Sequence, residues 1–171
     1  MKRIGKGEFT TAYLLDSGKV LLESRDAIKE CMANEWFPSC RLFPKVEYAP
    51  SGLRPERDGY QHYLMDYYPN TRSLKGALEP RQWALYQALR DCWNNTFFGF
   101  GKHPLDWMRE FLDRFRKEYP QFRRQHKQLF EAWEATRNYS ELVLFEISPR
   151  NVRAHNGKLI LMDCFFIRER R

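Results

Sequence analysis

The side-chain period changes twice along this chain, and that switch restricts the possible folds more than any single residue does. Before Pro69 the runs "TTAYLLD" and "KVLLE" are β-prone, and Asp16-Ser17-Gly18 between them predicts a hairpin turn. "SRDAIKECMANEWF" then predicts one helix, with Ser24 or Asp26 as N-cap, Ile28, Met32 and Trp36 at helical spacing, and Pro38 as its stop. "PKVEYAP" and "YQHYLMDYYP" predict a second strand pair joined by the polar loop "SGLRPERDG". After Pro69 the apolar period becomes helical. Pro80 opens a helix carrying Trp83, Tyr86, Leu89 and Trp93, and Pro104 opens another with Trp107, Met108, Phe111, Leu112 and Phe115. "NNTFFGFGKH" is the expected loop between them. A third helix over 121–138 carries Phe122, Leu129, Phe130 and Trp133. Strands return at "LVLFEI" and "KLILMDCFF", with the turn "HNG" at 155–157 predicting a terminal hairpin. The order implies an α+β chain in two parts: 1–68, β-rich with one helix, and 69–171, mainly helical, with a connector over 66–76.

With 171 residues, 43% of them hydrophobic and 16% aromatic, the chain can build a core, which excludes wholesale disorder. No apolar run approaches a membrane span, and "MKRIGKGEF" lacks the apolar core of a signal peptide, so a cytoplasmic protein that avoids the membrane is expected. Cys31, Cys40, Cys92 and Cys164 show no CxxC spacing, and the four histidines are scattered. Reduced thiols and no structural metal are therefore expected. The net charge of +7 suits an anionic partner. It concentrates in 109–127, where seven Arg or Lys accompany three acids, and in the tail "RERR". That stretch reads either as a solvated helix face or as a patch for nucleic acid or an acidic protein.

Four pieces carry chemistry: a glycine turn, the apolar strand "YLMDYYP" that leads into the connector and can offer backbone groups to an adenine edge, Glu146 with Asn151, and Asp163. "IGKGEFTTAY" places a Gly-x-Gly-x-Phe turn between two short strands, where glycines let backbone N–H groups approach phosphate. Taken alone, it is a glycine hairpin. Glu146, then four residues, then Asn151, then a hairpin into Asp163 assembles three oxygen donors in order. Asn and Asp are hard ligands suited to Mg²⁺, and a further carboxylate can take a hydroxyl proton. Taken singly, these residues are a cap, a turn Asn and an exposed Asp.

With these pieces in order the chain resembles the protein kinase-like family. "GKGEFTTAY" is similar to the glycine-rich loop, "YLMDYYP" to the hinge, "FEISPRN" to the catalytic loop and "LILMDCF" to the DFG segment. Within that family it is most similar to the compact early-gene Ser/Thr protein kinases of podovirus-type bacteriophages. The resemblance implies a two-lobe fold: a β-rich N-lobe with one helix, and a truncated, mainly helical C-lobe ending in a catalytic β-hairpin. It implies ATP and Mg²⁺ as ligands. Gly5, Lys6, Gly7 and Phe9 would cover the phosphates, and Met65, Asp66 and Tyr67 would line the hinge. Glu146 would be the catalytic base, and Asn151 and Asp163 would hold Mg²⁺. A host protein, as substrate or inhibited target in the host cytoplasm, would be the partner.

The pattern departs from the family at several places: Leu144 and Phe145 stand where the His and Arg of the catalytic loop belong, the glycine of DFG is absent in "DCF", and two further changes fall on the lysine and base positions. Aligning Val20-Leu21-Leu22-Glu23 with V-A-I-K puts Glu23 where the lysine belongs, and a one-residue shift puts Leu22 there. Lys6, Lys19 or Lys29 would then have to supply the cation, with Glu30 or Glu35 as the helix acid. Glu146 is one methylene longer than the usual Asp. Two functions follow as expectations: transfer of the ATP γ-phosphate to Ser/Thr, or a pseudokinase that binds a partner through its basic surface. A small-molecule phosphotransferase ranks third.

Overall fold

The computed structural model describes residues 1–54, 57–96 and 103–167. The chain is α+β and divides into two compact units, one of residues 1–36 and 44–68, the other of 37–43 and 69–171.

The first unit is a five-stranded antiparallel sheet with one helix. Its strands are β1 (Lys2–Lys6), β2 (Thr10–Leu14), β3 (Lys19–Ser24), β4 (Val46–Tyr48) and β5 (Gln61–Asp66), in the spatial order β1-β2-β3-β5-β4. Gly18, at φ +79°, closes the β2–β3 hairpin in the left-handed conformation that glycine adopts without strain. Helix α1 covers Ala27–Ala33, and the Asp26 carboxylate caps it by accepting the Ile28 N–H at 2.9 Å. The helix is shorter than expected. Glu35 takes φ +59°, which ends the α-helical path, and Trp36 emerges 47% exposed rather than on the buried stripe of Ile28 and Met32.

The second unit holds α2 (Leu74–Ala77), α3 (Pro80–Asn95), α4 (Pro104–Glu118), a 3₁₀ turn (Pro120–Phe122) and α5 (Arg123–Arg137). The loop expected between α3 and α4 lies mostly outside the described residues, as does the basic tail at 168–171. Tyr86, Leu89, Met108, Phe111, Phe115, Leu129 and Trp133 are buried as the helical period requires. Phe130 is 43% exposed, because it lies a quarter-turn off the stripe that buries Leu129 and Trp133.

The terminal strands pair differently from the expected single hairpin. β6 (Val143–Phe145) pairs antiparallel with β9 (Phe165–Ile167), while β7 (Val152–His155) and β8 (Lys158–Leu161) form a separate hairpin. The physical reason is the Ser148–Asn151 turn, which breaks "LVLFEI" away from the hairpin and leaves "VRAH" as the nearest partner of "KLIL".

Asn156 at φ +49° and Gly157 at φ +74° make the two-residue turn of the β7–β8 hairpin, a type I′ pattern. The turn is latched to the start of α3: the Glu79 N–H donates to the Gly157 carbonyl at 2.9 Å, and Lys158 Nζ reaches Glu79 at 2.6 Å. A Cβ on Gly157 would stand 2.9 Å from Glu79 Cγ. Gly157→Ala is therefore expected to destabilise the fold by about 1–3 kcal/mol, from left-handed strain plus the displaced Glu79. Thermal denaturation checks this. An unchanged midpoint would mean that the turn is not held as described.

Candidate functional site

In the first unit the glycine turn is short and well bonded. The Gly7 N–H donates to the Thr10 carbonyl at 2.8 Å, and the Phe9 carbonyl accepts the Arg25 N–H at 3.0 Å and the Ser24 hydroxyl at 3.3 Å. The Arg25 guanidinium stands 5.2 Å from the Phe9 ring centroid, which fixes the aromatic at the turn. Neither Gly5 nor Gly7 has positive φ, and a Cβ on either would find ordinary contacts, at 3.8 Å from Ala12 Cβ and 3.6 Å from the Thr10 carbonyl oxygen. Local folding does not require glycine at these two places.

Register assigns the sheet faces, because directly opposed residues in antiparallel strands share a face and neighbours along a strand alternate. Gly5 opposes Ala12, Ala12 opposes Leu22, and Val20 opposes Met65. These five residues therefore share one face. Lys6 opposes Thr11, Thr11 opposes Glu23, Glu23 opposes His62, and Lys19 opposes Asp66, so these lie on the other face. Among the sequence-expected binding residues, Gly5 and Met65 are thus on one side and Lys6 and Asp66 on the other. Tyr67 follows β5 and is 40% exposed.

Glu23 is 5% exposed and has its own cations. Its carboxylate lies 3.4 Å from Arg54 Nε, 3.5 Å from Arg57 Nη1 and 3.8 Å from His62 Nε2. Arg54 in turn stacks on Tyr13, with its guanidinium carbon 4.0 Å from the ring centroid. Sequence reasoning did not find this cluster, because its members are far apart in the chain. It changes the meaning of the acid: Glu23 is a compensated buried charge on the face opposite Ala12, and Leu22 occupies the Ala12 face. Of the three lysines offered as substitutes, Lys19 is exposed and paired with Asp66 at 2.7 Å, and Lys6 is exposed on β1. Lys29 on α1 is 5% exposed, the one buried lysine among the described residues.

In the second unit Glu146, Asn151 and Asp163 are brought together by their backbone. The Glu146 N–H donates to the Cys164 carbonyl at 2.8 Å. The Asn151 carbonyl accepts the Met162 N–H at 2.9 Å, the Asp163 N–H at 3.5 Å and the Cys164 thiol at 3.4 Å. The Asn151 N–H closes its own turn onto Ser148 at 3.1 Å. Glu146 is half-buried and Asp163 exposed. The loop is anchored by Phe145, which packs on Phe111 at 4.9 Å and Phe165 at 5.3 Å between centroids, and whose carbonyl accepts the Trp93 indole N–H at 2.9 Å.

Glu146, Asn151 and Asp163 carry side-chain oxygens of the hardness that Mg²⁺ prefers. Among the described residues no group of three or more His, Cys, Asp or Glu is placed to hold a metal. Burial pushes the Cys31 and Cys92 thiols up to about 12, so at neutral pH both are protonated packing groups rather than nucleophiles.

The basic stretch 109–127 is largely neutralised along its own helices. Arg109 pairs with Asp106, Arg114 with Glu118, Arg116 with Asp113 and Lys127 with Glu131. These are helical i,i+3 and i,i+4 pairs of a solvated face. Among the described residues no helix is long and apolar enough to cross a membrane.

No protein-family model matches this chain, and no curated protein matches it.

Proposed function

We propose that the chain is a kinase-like protein that binds ATP and Mg²⁺ and transfers the γ-phosphate to a Ser or Thr hydroxyl, with a host protein as acceptor. The observation that carries this reading is the bonding of two loop residues to the Met162–Cys164 segment: the Asn151 carbonyl accepts from Met162, Asp163 and the Cys164 thiol, and the Glu146 N–H donates to the Cys164 carbonyl. The glycines support it from the other unit. Their absent side chains are not explained by the fold, whereas close approach of a phosphate to backbone N–H groups would explain them.

On this reading Glu146 accepts the hydroxyl proton as the acceptor oxygen attacks. Asn151 and Asp163 present the oxygens that would hold Mg²⁺, which when bound neutralises charge developing on the phosphates. The cation that a β3 lysine would otherwise supply would come from Lys6, Lys19 or Lys29. A second reading, nucleotide binding without transfer, is favoured by Leu22 on the Ala12 face and by the longer Glu146 carboxylate.

Thermal shift with ATP and Mg²⁺, paired with γ-phosphate transfer to self or to cell lysate, tests both readings. ATP at a hundredfold excess over Kd should add about 2.7 kcal/mol, or about 5–10 °C for a domain of this size. Stabilisation without transfer would leave only the binding reading, and absence of any shift would sink both. Gly7→Ala is expected to hold the unliganded midpoint, changing stability by at most about 1 kcal/mol and toward greater stability, while weakening the ATP shift. A variant that unfolds, or one that keeps the full shift, would remove the glycine argument.

A further inference from the structure

We infer that the second unit carries a separate binding pocket for an aryl phosphate, a phosphate monoester on a flat aromatic group. A cavity of about 330 Å³ opens beside α2 and α3 and is bordered by four cations, Arg72, Lys75, Arg90 and Arg153. No Asp or Glu lines it. None of the four forms an ion pair among the described residues, whereas most of the basic residues of α4 and α5 do. The Arg90 guanidinium lies 6.0 Å from the Tyr86 ring centroid, and its Nε has no hydrogen-bond partner among the described residues, which leaves a donor for an entering oxyanion. Four cations gathered without a counter-charge repel one another, and a doubly charged phosphate offsets that repulsion better than a monoanion does.

The remaining wall sets the ligand body. Trp83 and Tyr86 line the same cavity, 5.4 Å apart with 33° between their planes; half-buried Trp83 offers flat apolar surface beside the charge, with buried Tyr86 behind it. Pro149 lines it too, and it belongs to the loop that carries Glu146 and Asn151. The volume suits a compact ligand rather than an extended one. The site uses none of the residues assigned to ATP or Mg²⁺, so it stands or falls apart from that function.

Titration calorimetry of the full chain without nucleotide or Mg²⁺ tests the site, using phenyl phosphate, inorganic phosphate and a phosphotyrosine peptide with its unphosphorylated control. Phenyl phosphate should bind roughly tenfold or more tightly than inorganic phosphate, because only it covers Trp83. Arg90→Gln and Lys75→Gln should each weaken it roughly tenfold, and Arg124→Gln on α5 should not. Lys75 is exposed, so its variant keeps the test valid if the Arg90 variant fails to fold. Trp83→Phe should abolish ligand-induced fluorescence quenching. A phosphopeptide that binds tenfold above phenyl phosphate would identify a protein side chain as the source, and equal or weaker peptide binding would identify a free small molecule. Equal weakening by Arg124→Gln, or no difference between the two phosphates, would overturn the site.

Discussion

Glu146→Gln should reduce phosphotransfer by about 10²–10⁴-fold while leaving the ATP and Mg²⁺ thermal shift in place. The substitution keeps the shape of the side chain and removes only its ability to take a proton. The backbone bond from the Glu146 N–H to the Cys164 carbonyl does not depend on the side chain, so the loop should keep its path. Asp163→Ala should behave differently, losing the Mg²⁺-dependent part of the shift together with transfer, since Asp163 is assigned to holding the ion. The two variants therefore separate proton transfer from metal binding. Single-turnover transfer assays and melting curves with and without Mg²⁺ make the comparison. Equal transfer by wild type and Glu146→Gln would remove Glu146 as the base, and the binding-only reading would then account better for the loop.

Phe145→Ala should cost about 3–5 kcal/mol, a large share of the 5–15 kcal/mol that holds a domain of ordinary stability. Phe145 is 1% exposed and touches Phe111 on α4 and Phe165 on β9, so its removal opens a cavity where a helix and both strands of the β6–β9 pair converge. It also immediately precedes Glu146, and loss of its packing should loosen the loop before the unit melts. Urea denaturation would measure the loss, and hydrogen exchange at the Met162 and Glu146 amides would report the loosening. A loss below about 1 kcal/mol would show that the ring does not anchor the loop.

Several local features could be read without tertiary information. The Asp16–Gly18 turn, the Asp26 cap, the Pro80 and Pro104 helix starts and the 155–157 turn all follow from short-range chemistry, and each lies where the residues place it. Trp36 and Phe130 stand with apolar neighbours in the sequence yet are exposed, because periodicity records spacing but not where a helix ends or how wide its buried stripe is. Glu146, Asn151 and Asp163 could be picked out as oxygen donors in order. Their proximity depends on the Asn151 carbonyl meeting Met162–Cys164 and on β6 choosing β9, a pairing across about twenty residues that no local rule selects.

The sequence by itself determined most of the strand and helix segments and several of their turns, though not α2, β7 or the Ser148–Asn151 turn, and it set two glycines and three oxygen-bearing residues in a suggestive order. Those properties depend on backbone sterics and side-chain period, which act over a few residues. Only the tertiary structure decided that Glu23 faces away from Ala12 among Arg54, Arg57 and His62, that Lys29 is the buried lysine, and that four cations meet around one cavity without an acid. Strand register and long-range packing set these outcomes, since shifting a strand by one residue moves every side chain to the opposite face.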